Sequence, residues 1–157
     1  MIKILFVCMG NICRSPSAEA VMNGLVNKAG LENEISCDSA GTIAYHTGEP
    51  ADSRMQKHAR RRGFKLTSIS RAVLPAADFE KFDYIIGMDD DNMRDLRALD
   101  KNGRFDNKLY KMTDFCQNRR EESVPDPYYG GDAGFELVLD ILQDACAGLL
   151  KKIMKEM

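Results

Sequence analysis

The sequence predicts an α/β fold: a single domain with a four-stranded parallel sheet and helices on both faces. Residues 2–8, IKILFVC, form an almost unbroken apolar run, which is typical of a strand buried on both faces of a parallel sheet. Apolar strand patterns then alternate with helical patterns, and this alternation builds a parallel sheet covered by helices. The 157 residues suit one domain with its own core, so we assign residues 1–157 to a single domain.

The first unit is a strand, a loop and a helix. Gly10 and Asn11 form a turn signal at the end of the strand. Ser15 is expected to be the N-cap of the helix and Pro16 its first residue, because these residue types favour those positions. Apolar residues then recur at helical spacing, and Gly30 is the expected stop signal.

Three further strands and three further helices are expected after this unit. The strands are residues 35–41, 82–88 and the weaker 108–112. The helices are a polar one from residue 52 or 53 to 62, one that begins at the acidic residues 89–91, and a long amphipathic one over 135–153. The segments 42–52 and 123–134 contain proline and glycine and are expected to be loops. Ligands bind beyond the carboxyl ends of parallel strands, where such loops gather.

Composition and charge argue against several classes of protein. The net charge of −2 gives no electrostatic basis for nucleic-acid binding. No apolar stretch approaches the roughly 18 residues of a membrane helix, and the first eight residues are too short for a signal peptide, so no membrane association is expected. The basic cluster at Lys57 and residues 60–62 is interpreted as a solvated helix face.

The cysteines indicate a reducing compartment. Their spacing resembles neither a disulfide framework nor a zinc motif, so a cytoplasmic location is expected. In that compartment a cysteine is a packing residue, a metal ligand or a nucleophile. The five cysteines are Cys8, Cys13, Cys37, Cys116 and Cys146.

The segment CMGNICRS, residues 8–15, carries the main functional signal. A loop between a strand and a helix N-terminus presents backbone N–H groups that bind an anion, and the helix dipole adds to this. Met9 and Gly10 contribute loop backbone, and glycine permits conformations that other residues resist. Arg14 offers a planar fork of donors that matches phosphate oxygens. A phosphate-like dianion is therefore the expected ligand, as product or inhibitor as well as substrate group.

The same groups stabilise a thiolate at Cys8, which lies at the mouth of the loop. A thiolate facing a bound phosphoryl group indicates in-line attack and a cysteinyl-phosphate intermediate. Asp126, in the segment SVPDPYYGG, is the candidate general acid for the leaving oxygen, and afterwards the base for water. Ser15 is able to donate its hydroxyl to the sulfur, and Asn11 to brace the loop. This chemistry needs no metal and no cofactor.

These segments resemble the low-molecular-weight protein tyrosine phosphatases. The resemblance begins at FVCMGNICRSPSAEA and continues in the same order through DSAGTIAYHTGEPAD, FDYIIGMDDDN and VPDPYYGG, so it covers essentially the whole chain. It implies a four-stranded parallel sheet flanked by helices and hydrolysis of phosphotyrosine in proteins. We expect the chain to be a monomer or to self-associate weakly.

Matched by position, the family assigns a role to each residue of the loop. Cys8 corresponds to the nucleophile, Arg14 to the phosphate clamp and Asp126 to the general acid. Ser15 corresponds to the residue that bonds the thiolate, and Asn11 to the one that holds the loop in shape. The next position in the loop matches a second cysteine that forms a reversible disulfide with the first; that residue is Cys13.

The resemblance also implies an aromatic slot. Ile12, Tyr45, Tyr128 and Tyr129 match the cleft-wall positions of the family. Such walls hold an aromatic ring while its phosphate reaches the nucleophile, and a serine or threonine phosphate is too short to reach it.

The chain departs from the family pattern at one position. Many members carry a histidine in the segment that matches residues 63–72, where it bonds the loop asparagine. This chain has no histidine there, and Ile69 is taken to occupy the place, which leaves the bracing of Asn11 unexplained. His58, in a polar helical stretch, is expected on the surface.

Three alternatives stay open. An arsenate reductase on the same loop needs two further cysteines on a flexible segment, whereas residues 80–95 contain none. A phosphoarginine phosphatase tends to carry a polar residue where Ile12 stands. A phosphate-binding module without catalysis needs neither a thiol nor an acid.

Overall fold

The parallel sheet predicted from the sequence is confirmed. The computed structural model describes residues 1–157 and contains four strands in the order β2-β1-β3-β4, all parallel. The strands are β1 (Ile2–Cys8), β2 (Ile35–Gly41), β3 (Tyr84–Gly87) and β4 (Leu109–Lys111).

Five α-helices connect and cover the strands. They are α1 (Arg14–Lys28), α2 (Ser53–Arg61), α3 (Pro75–Lys81), α4 (Asp90–Leu99) and α5 (Gly131–Glu156). Four 3₁₀ turns lie at Lys101–Gly103, Asp106–Lys108, Met112–Phe115 and Pro127–Tyr129. None of the helices combines the length and the apolar character that a bilayer crossing demands.

Alternate residues of β1 serve two separate cores, which explains the unbroken apolar run. Ile4 and Phe6 belong to the larger core with residues of α1 and α5. Leu5 and Val7 belong to the smaller core on the other face, with residues of α3 and α4. Because side chains alternate across a strand, a strand covered by helices on both faces must be apolar at consecutive positions.

The strand register gathers the carboxyl ends at one edge of the sheet. Cys8 is paired with Gly41 of β2, and Val7 with Gly87 of β3. A Cβ atom on Gly41 would lie 2.7 Å from the carbonyl oxygen of Met9, so only glycine lets β2 end so close to the loop after β1. The segments that follow β1, β2 and β3 therefore meet around that loop.

The start of α1 differs from the prediction. The helix begins at Arg14 with Cys13 at the N-cap, and the cap position makes no side-chain hydrogen bond. Ser15, predicted as the cap, is fully buried inside the first turn. Its hydroxyl bonds the loop side chains instead, and this competing role moves the helix start upstream.

Helix α3 was not predicted from the sequence. Its seven residues are too few to show a helical period, although Pro75 occupies a position that suits a first helical turn. Asp78 and Phe79 are its only buried residues. The third strand is correspondingly shorter than predicted, because Phe82 forms the C-cap of α3.

The expectation that His58 lies on the surface is wrong. The residue is 4% exposed, and its ring stacks on Phe135 with centroids 5.4 Å apart. Its Nδ1 lies 2.5 Å from Oε2 of Glu136, and its Nε2 lies 3.1 Å from Oδ1 of Asp132. His58 thereby ties α2 to the first turns of α5. These partners are 74 and 78 residues away in the chain, so the local polar pattern gives no sign of them.

Replacing His58 by alanine is expected to lower the free energy of unfolding by about 2–3 kcal/mol, because two hydrogen bonds to carboxylates and a buried ring contact are lost. Urea denaturation measures this change. His46→Ala is the matched control, since His46 bonds only Glu49 at the surface and its loss is expected to cost less than about 1 kcal/mol. Equal losses for the two variants would show that the His58 cluster does not stabilise the fold.

Candidate active site

The loop after β1 turns its carbonyl groups outward. Those of Cys8, Met9 and Ile12 accept hydrogen bonds from the backbone N–H groups of residues 42, 43 and 52, at 2.7–3.1 Å. That of Gly10 accepts from the hydroxyl of Ser70 at 3.0 Å. In a planar trans peptide the N–H points opposite to the C=O, so the amides of these peptides face the concave side. The loop is therefore a nest of N–H groups that suits an anion.

The sulfur of Cys8 lies at the base of this nest. It accepts a hydrogen bond from the Asn11 backbone N–H at 3.3 Å and lies 3.0 Å from the hydroxyl oxygen of Ser15. That hydroxyl accepts from the Asn11 side-chain amide at 2.8 Å, so its own hydrogen remains free to donate. Two acceptors lie near the Ser15 hydroxyl oxygen. The Cys8 sulfur, at 3.0 Å, is closer than the Ala40 carbonyl oxygen, at 3.5 Å. The contacts from Asn11 and Ser15 both stabilise negative charge on sulfur.

Asn11 holds the loop in its reversed conformation. Its φ of 56° lies in the left-handed region, which asparagine tolerates better than most residues. Its side-chain oxygen accepts from the Arg71 backbone N–H at 3.0 Å. Ile69 is 56% exposed and makes no hydrogen bond to Asn11, so it does not replace the bracing contact of the family histidine. The backbone of Arg71 braces Asn11 instead.

Arg71 is itself held by two carboxylates. Its guanidinium bonds Asp78 at 2.9 Å and Asp38 at 3.0 Å. Burial would lower the pKa of this guanidinium, but its hydrogen bonds to the two carboxylates and their negative charge raise it above its usual value. These ion pairs tie the segment before α3 to β2 and to α3.

Arg14 is oriented by groups that local sequence patterns do not reveal. Its Nη1 donates to Oδ2 of Asp89 at 2.5 Å and to the carbonyl of Val124 at 3.1 Å. Burial would lower the pKa of the guanidinium, but the Cys8 sulfur and the Asp89 carboxylate raise it above its usual value. Asp89 also caps α4 by accepting the Asn92 N–H, so one carboxylate serves both the helix and the arginine.

The nest opens into a small cavity of about 60 Å³. Ligand pockets commonly measure about 300–1,000 Å³, so this one admits a small group while the rest of a ligand stays at its mouth. Its lining residues are Cys8, Met9, Gly10, Ile12, Cys13, Arg14, His46, Asp126 and Tyr128.

Asp126 and Tyr128 reach this cavity on the 3₁₀ turn before α5. The Asp126 carboxylate accepts the backbone N–H of Tyr128 at 3.0 Å, which leaves lone pairs free to face the cavity. The guanidinium of Arg54 lies 5.1 Å from the centroid of the Tyr128 ring and 5.1 Å from that of Phe135. This sandwich fixes the Tyr128 wall against α2.

The structure separates the predicted site residues into three groups. The lining includes eight of them, and Asn11 and Ser15 lie behind the loop as braces. Tyr45 and Tyr129 lie outside the cavity, 83% and 93% exposed. Tyr45 packs edge-on against His46, with ring centroids 4.8 Å apart, and His46 is the residue that lines the cavity. Sequence reasoning missed His46, although it is adjacent to the predicted tyrosine.

The four other thiols differ from Cys8 in their environment. Burial raises the pKa of Cys37 to about 12 and that of Cys116 to about 11. Burial also raises the pKa of Cys13 and of Cys146 well above the ordinary range of a thiol. These four groups stay protonated at neutral pH, and Cys8 alone receives the N–H and hydroxyl contacts described above.

Iodoacetate at pH 6 is expected to alkylate one thiol per chain, Cys8, and phosphate is expected to slow the reaction. The reagent attacks thiolates, and thiols with raised pKa values are protonated at this pH. Peptide mapping by mass spectrometry identifies the modified residue, and labelling in denaturant counts all five thiols. Uniform slow labelling, or labelling that phosphate does not affect, would contradict a thiolate in an anion site.

The fold and the cavity define an α/β protein in which a nest of N–H groups around a cysteine sulfur follows the first strand of a parallel sheet. A sequence model of the family described as low molecular weight phosphotyrosine protein phosphatase matches residues 3–157. The chain belongs to this family, and it is a phosphatase.

Individual relatives agree with this assignment. A putative low molecular weight protein-tyrosine-phosphatase of Synechocystis is 47% identical over 155 residues, which are 99% of this chain and 98% of the relative. A crystal structure of a protein tyrosine phosphatase of Entamoeba histolytica, with Hepes in the active site, superposes with a TM-score of 0.95 at 49% identity and covers 99% of both chains. A Drosophila arginine phosphatase structure is 31% identical, with a TM-score of 0.89 over 97% of this chain and 98% of its own.

Proposed function

We propose that the protein hydrolyses phosphotyrosine in proteins, and small aryl phosphates, through a cysteinyl-phosphate intermediate. The observation that carries the proposal is the Cys8 sulfur at the base of a nest of N–H groups, with Arg14 and Asp126 on the same small cavity. Binding an anion requires neither a thiol nor an acid, so this combination supports catalysis rather than a binding module.

The first step transfers the phosphoryl group to sulfur. The Cys8 thiolate attacks phosphorus, an S–P bond forms, and the bond from phosphorus to the aryl oxygen breaks. Asp126 in its acid form donates its proton to the departing oxygen, so the product leaves as a neutral phenol. The loop amides and the Arg14 guanidinium bond the remaining phosphoryl oxygens, where negative charge is concentrated in the transition state.

The second step returns the enzyme to its starting state. The Asp126 carboxylate accepts a proton from a water molecule, and the water oxygen attacks phosphorus. The S–P bond breaks, inorganic phosphate is released and the Cys8 thiolate is restored. The Ser15 hydroxyl, whose oxygen lies 3.0 Å from the sulfur, donates a hydrogen bond that stabilises the departing thiolate. Every proton and electron pair is supplied by the protein, the substrate or water.

The shape of the cavity favours an aryl ester. The volume holds the phosphoryl group, and Ile12 and Tyr128 line the cavity with apolar surface that suits a flat ring. His46 also lines the cavity. Tyr45 and Tyr129 are exposed outside it and are available for contacts further from the phosphate.

A substrate panel tests the proposal. The panel compares initial rates on a phosphotyrosine peptide, the matching phosphoserine and phosphoarginine peptides, and p-nitrophenyl phosphate. We expect phosphotyrosine and p-nitrophenyl phosphate to be hydrolysed and phosphoserine not to be. Faster hydrolysis of phosphoarginine would favour the activity of the Drosophila relative and overturn the assignment. Phosphate binding without any turnover would indicate a binding module.

Arsenate reduction is tested in the same assay. Such a reaction needs thiols that relay electrons from the nucleophile, and Cys37, Cys116 and Cys146 line no part of the cavity. We expect arsenate to act as a competitive inhibitor without thiol consumption.

A further inference from the structure

Helix α2 carries a face of uncompensated positive charge. Lys57, Arg60 and Arg61, which we call the basic face, are all exposed and form no ion pair. Their neighbour Arg62 differs, because it pairs with Glu136 at 2.6 Å and with Asp140 at 2.8 Å on α5. The acidic groups of α5 nearest to α2 are thus engaged by Arg62 and His58, and none reaches the basic face.

The basic face is unfavourable for the isolated helix. Lys57 lies three and four residues before Arg60 and Arg61, a spacing at which like charges repel. The helix dipole favours Arg60 and Arg61 in the last turn, but this effect does not extend to Lys57 in the middle of the helix. In a chain with a net charge of −2, three neighbouring cations without counter-ions form a local positive field that suits an acidic partner.

The basic face begins one turn beyond the part of α2 that packs on the cavity wall. The Asp52 N–H, at the start of α2, bonds the Ile12 carbonyl of the loop at 2.7 Å. Arg54, one turn before Lys57, packs on the cavity wall at Tyr128, and its own charge is paired with Asp52. A helix rises about 1.5 Å per residue, so Lys57 to Arg61 lie roughly 5–10 Å beyond Arg54 along the axis.

An extended peptide bound at the cavity would pass this face. Extended chain advances about 3.3 Å per residue, so side chains roughly two to four residues from the phosphotyrosine would reach it. Surface charges of opposite sign at this range attract and steer association, and salt screens them.

We propose that the basic face binds acidic residues that flank the phosphotyrosine, so that acidic phosphotyrosine segments are the preferred substrates. The proposal rests on the proposed function and adds to it a substrate preference. A membrane surface is the less favoured partner, because lipid-binding clusters commonly contain about 4–8 basic residues and this face contains three.

The test compares two phosphotyrosine peptides of equal length. One carries glutamates two to four residues from the phosphotyrosine on both sides, and the other carries glutamines there. The test variant is Lys57→Glu with Arg61→Glu, and the matched control is Lys151→Glu with Lys155→Glu, an exposed pair with the same spacing on α5. Assays use kcat/KM at low salt and at about 0.5 M salt.

The native protein and the control are expected to prefer the acidic peptide by about 5-fold at low salt. The test variant is expected to lose or reverse this preference, and high salt is expected to remove it in all forms. Hydrolysis of p-nitrophenyl phosphate, which has no flanking residues, is expected to stay unchanged in both variants. Equal kcat/KM for the two peptides in the native protein would overturn the proposal.

Two further outcomes separate the proposals. No turnover of either peptide or of p-nitrophenyl phosphate would refute the proposed function itself. A test variant that keeps the peptide preference but no longer sediments with phosphatidylserine vesicles would identify a lipid-binding surface and overturn the substrate proposal.

Discussion

Replacing Cys8 by serine is expected to reduce phosphatase turnover by about 10⁴-fold or more while inorganic phosphate still binds. The serine hydroxyl is protonated at neutral pH and is a far weaker nucleophile than a thiolate. The nest of N–H groups and Arg14 are unchanged, and they hold the anion. Steady-state hydrolysis of p-nitrophenyl phosphate and calorimetric titration with phosphate measure the two properties.

Cys116→Ser is the control for this variant, because Cys116 lies outside the cavity and is half-buried. It is expected to retain activity. Turnover by Cys8→Ser within tenfold of the native rate would remove Cys8 from the nucleophile role. If Cys8→Ser unfolds cooperatively but no longer binds phosphate, the sulfur is needed to form the anion site. The loss of turnover would then not identify Cys8 as the nucleophile.

Replacing Asp126 by asparagine is expected to affect poor leaving groups far more than good ones. In the proposed mechanism phenolate needs a proton from Asp126 to depart, whereas p-nitrophenolate leaves readily without one. We expect kcat/KM for phenyl phosphate to fall by about 10²–10³-fold and that for p-nitrophenyl phosphate by less than about 10-fold. The parameter kcat/KM covers only the steps up to the first irreversible one. It therefore reports phosphoryl transfer to Cys8 and not the later hydrolysis step, in which Asp126 is proposed to act as the base.

Asp132→Asn provides the comparison, since Asp132 follows the same turn but does not line the cavity. It is expected to change kcat/KM for the two esters by similar, small factors. A uniform loss for both esters in Asp126→Asn would assign Asp126 a binding role and leave the proton donor unidentified.

Local sequence patterns predict the sheet and the position of the loop after β1 well. The apolar run of β1 requires burial on two faces, and the turn residues after it place a helix N-terminus directly behind the loop. These signals depend on neighbours within a few residues, so the chain itself contains them. The long amphipathic pattern of α5 is of the same kind.

Contacts between distant segments account for what local patterns missed. Asp89 meets Arg14 across 75 residues, and the Arg71 backbone reaches Asn11 across 60. His58 is buried because carboxylates of α5 face it. Only the strand order and the packing of the helices bring these groups together, and neither is encoded in a local period.

The cavity wall illustrates the same limit. The aromatic residues at positions 45, 128 and 129 are alike in the sequence, yet only Tyr128 lines the cavity. Arg54 and Phe135 hold it in place. The neighbouring Tyr129 has no such partners and is almost fully exposed.

In the proposed mechanism Cys8 carries the phosphoryl group between the two steps. Rapid acid quenching during turnover of ³²P-labelled phenyl phosphate, followed by peptide mapping, tests it most directly. We expect label on the peptide that contains Cys8, attached through an S–P bond, and none in Cys8→Ser. Label on another residue, or turnover at the native rate with no labelled protein at any time point, would contradict it.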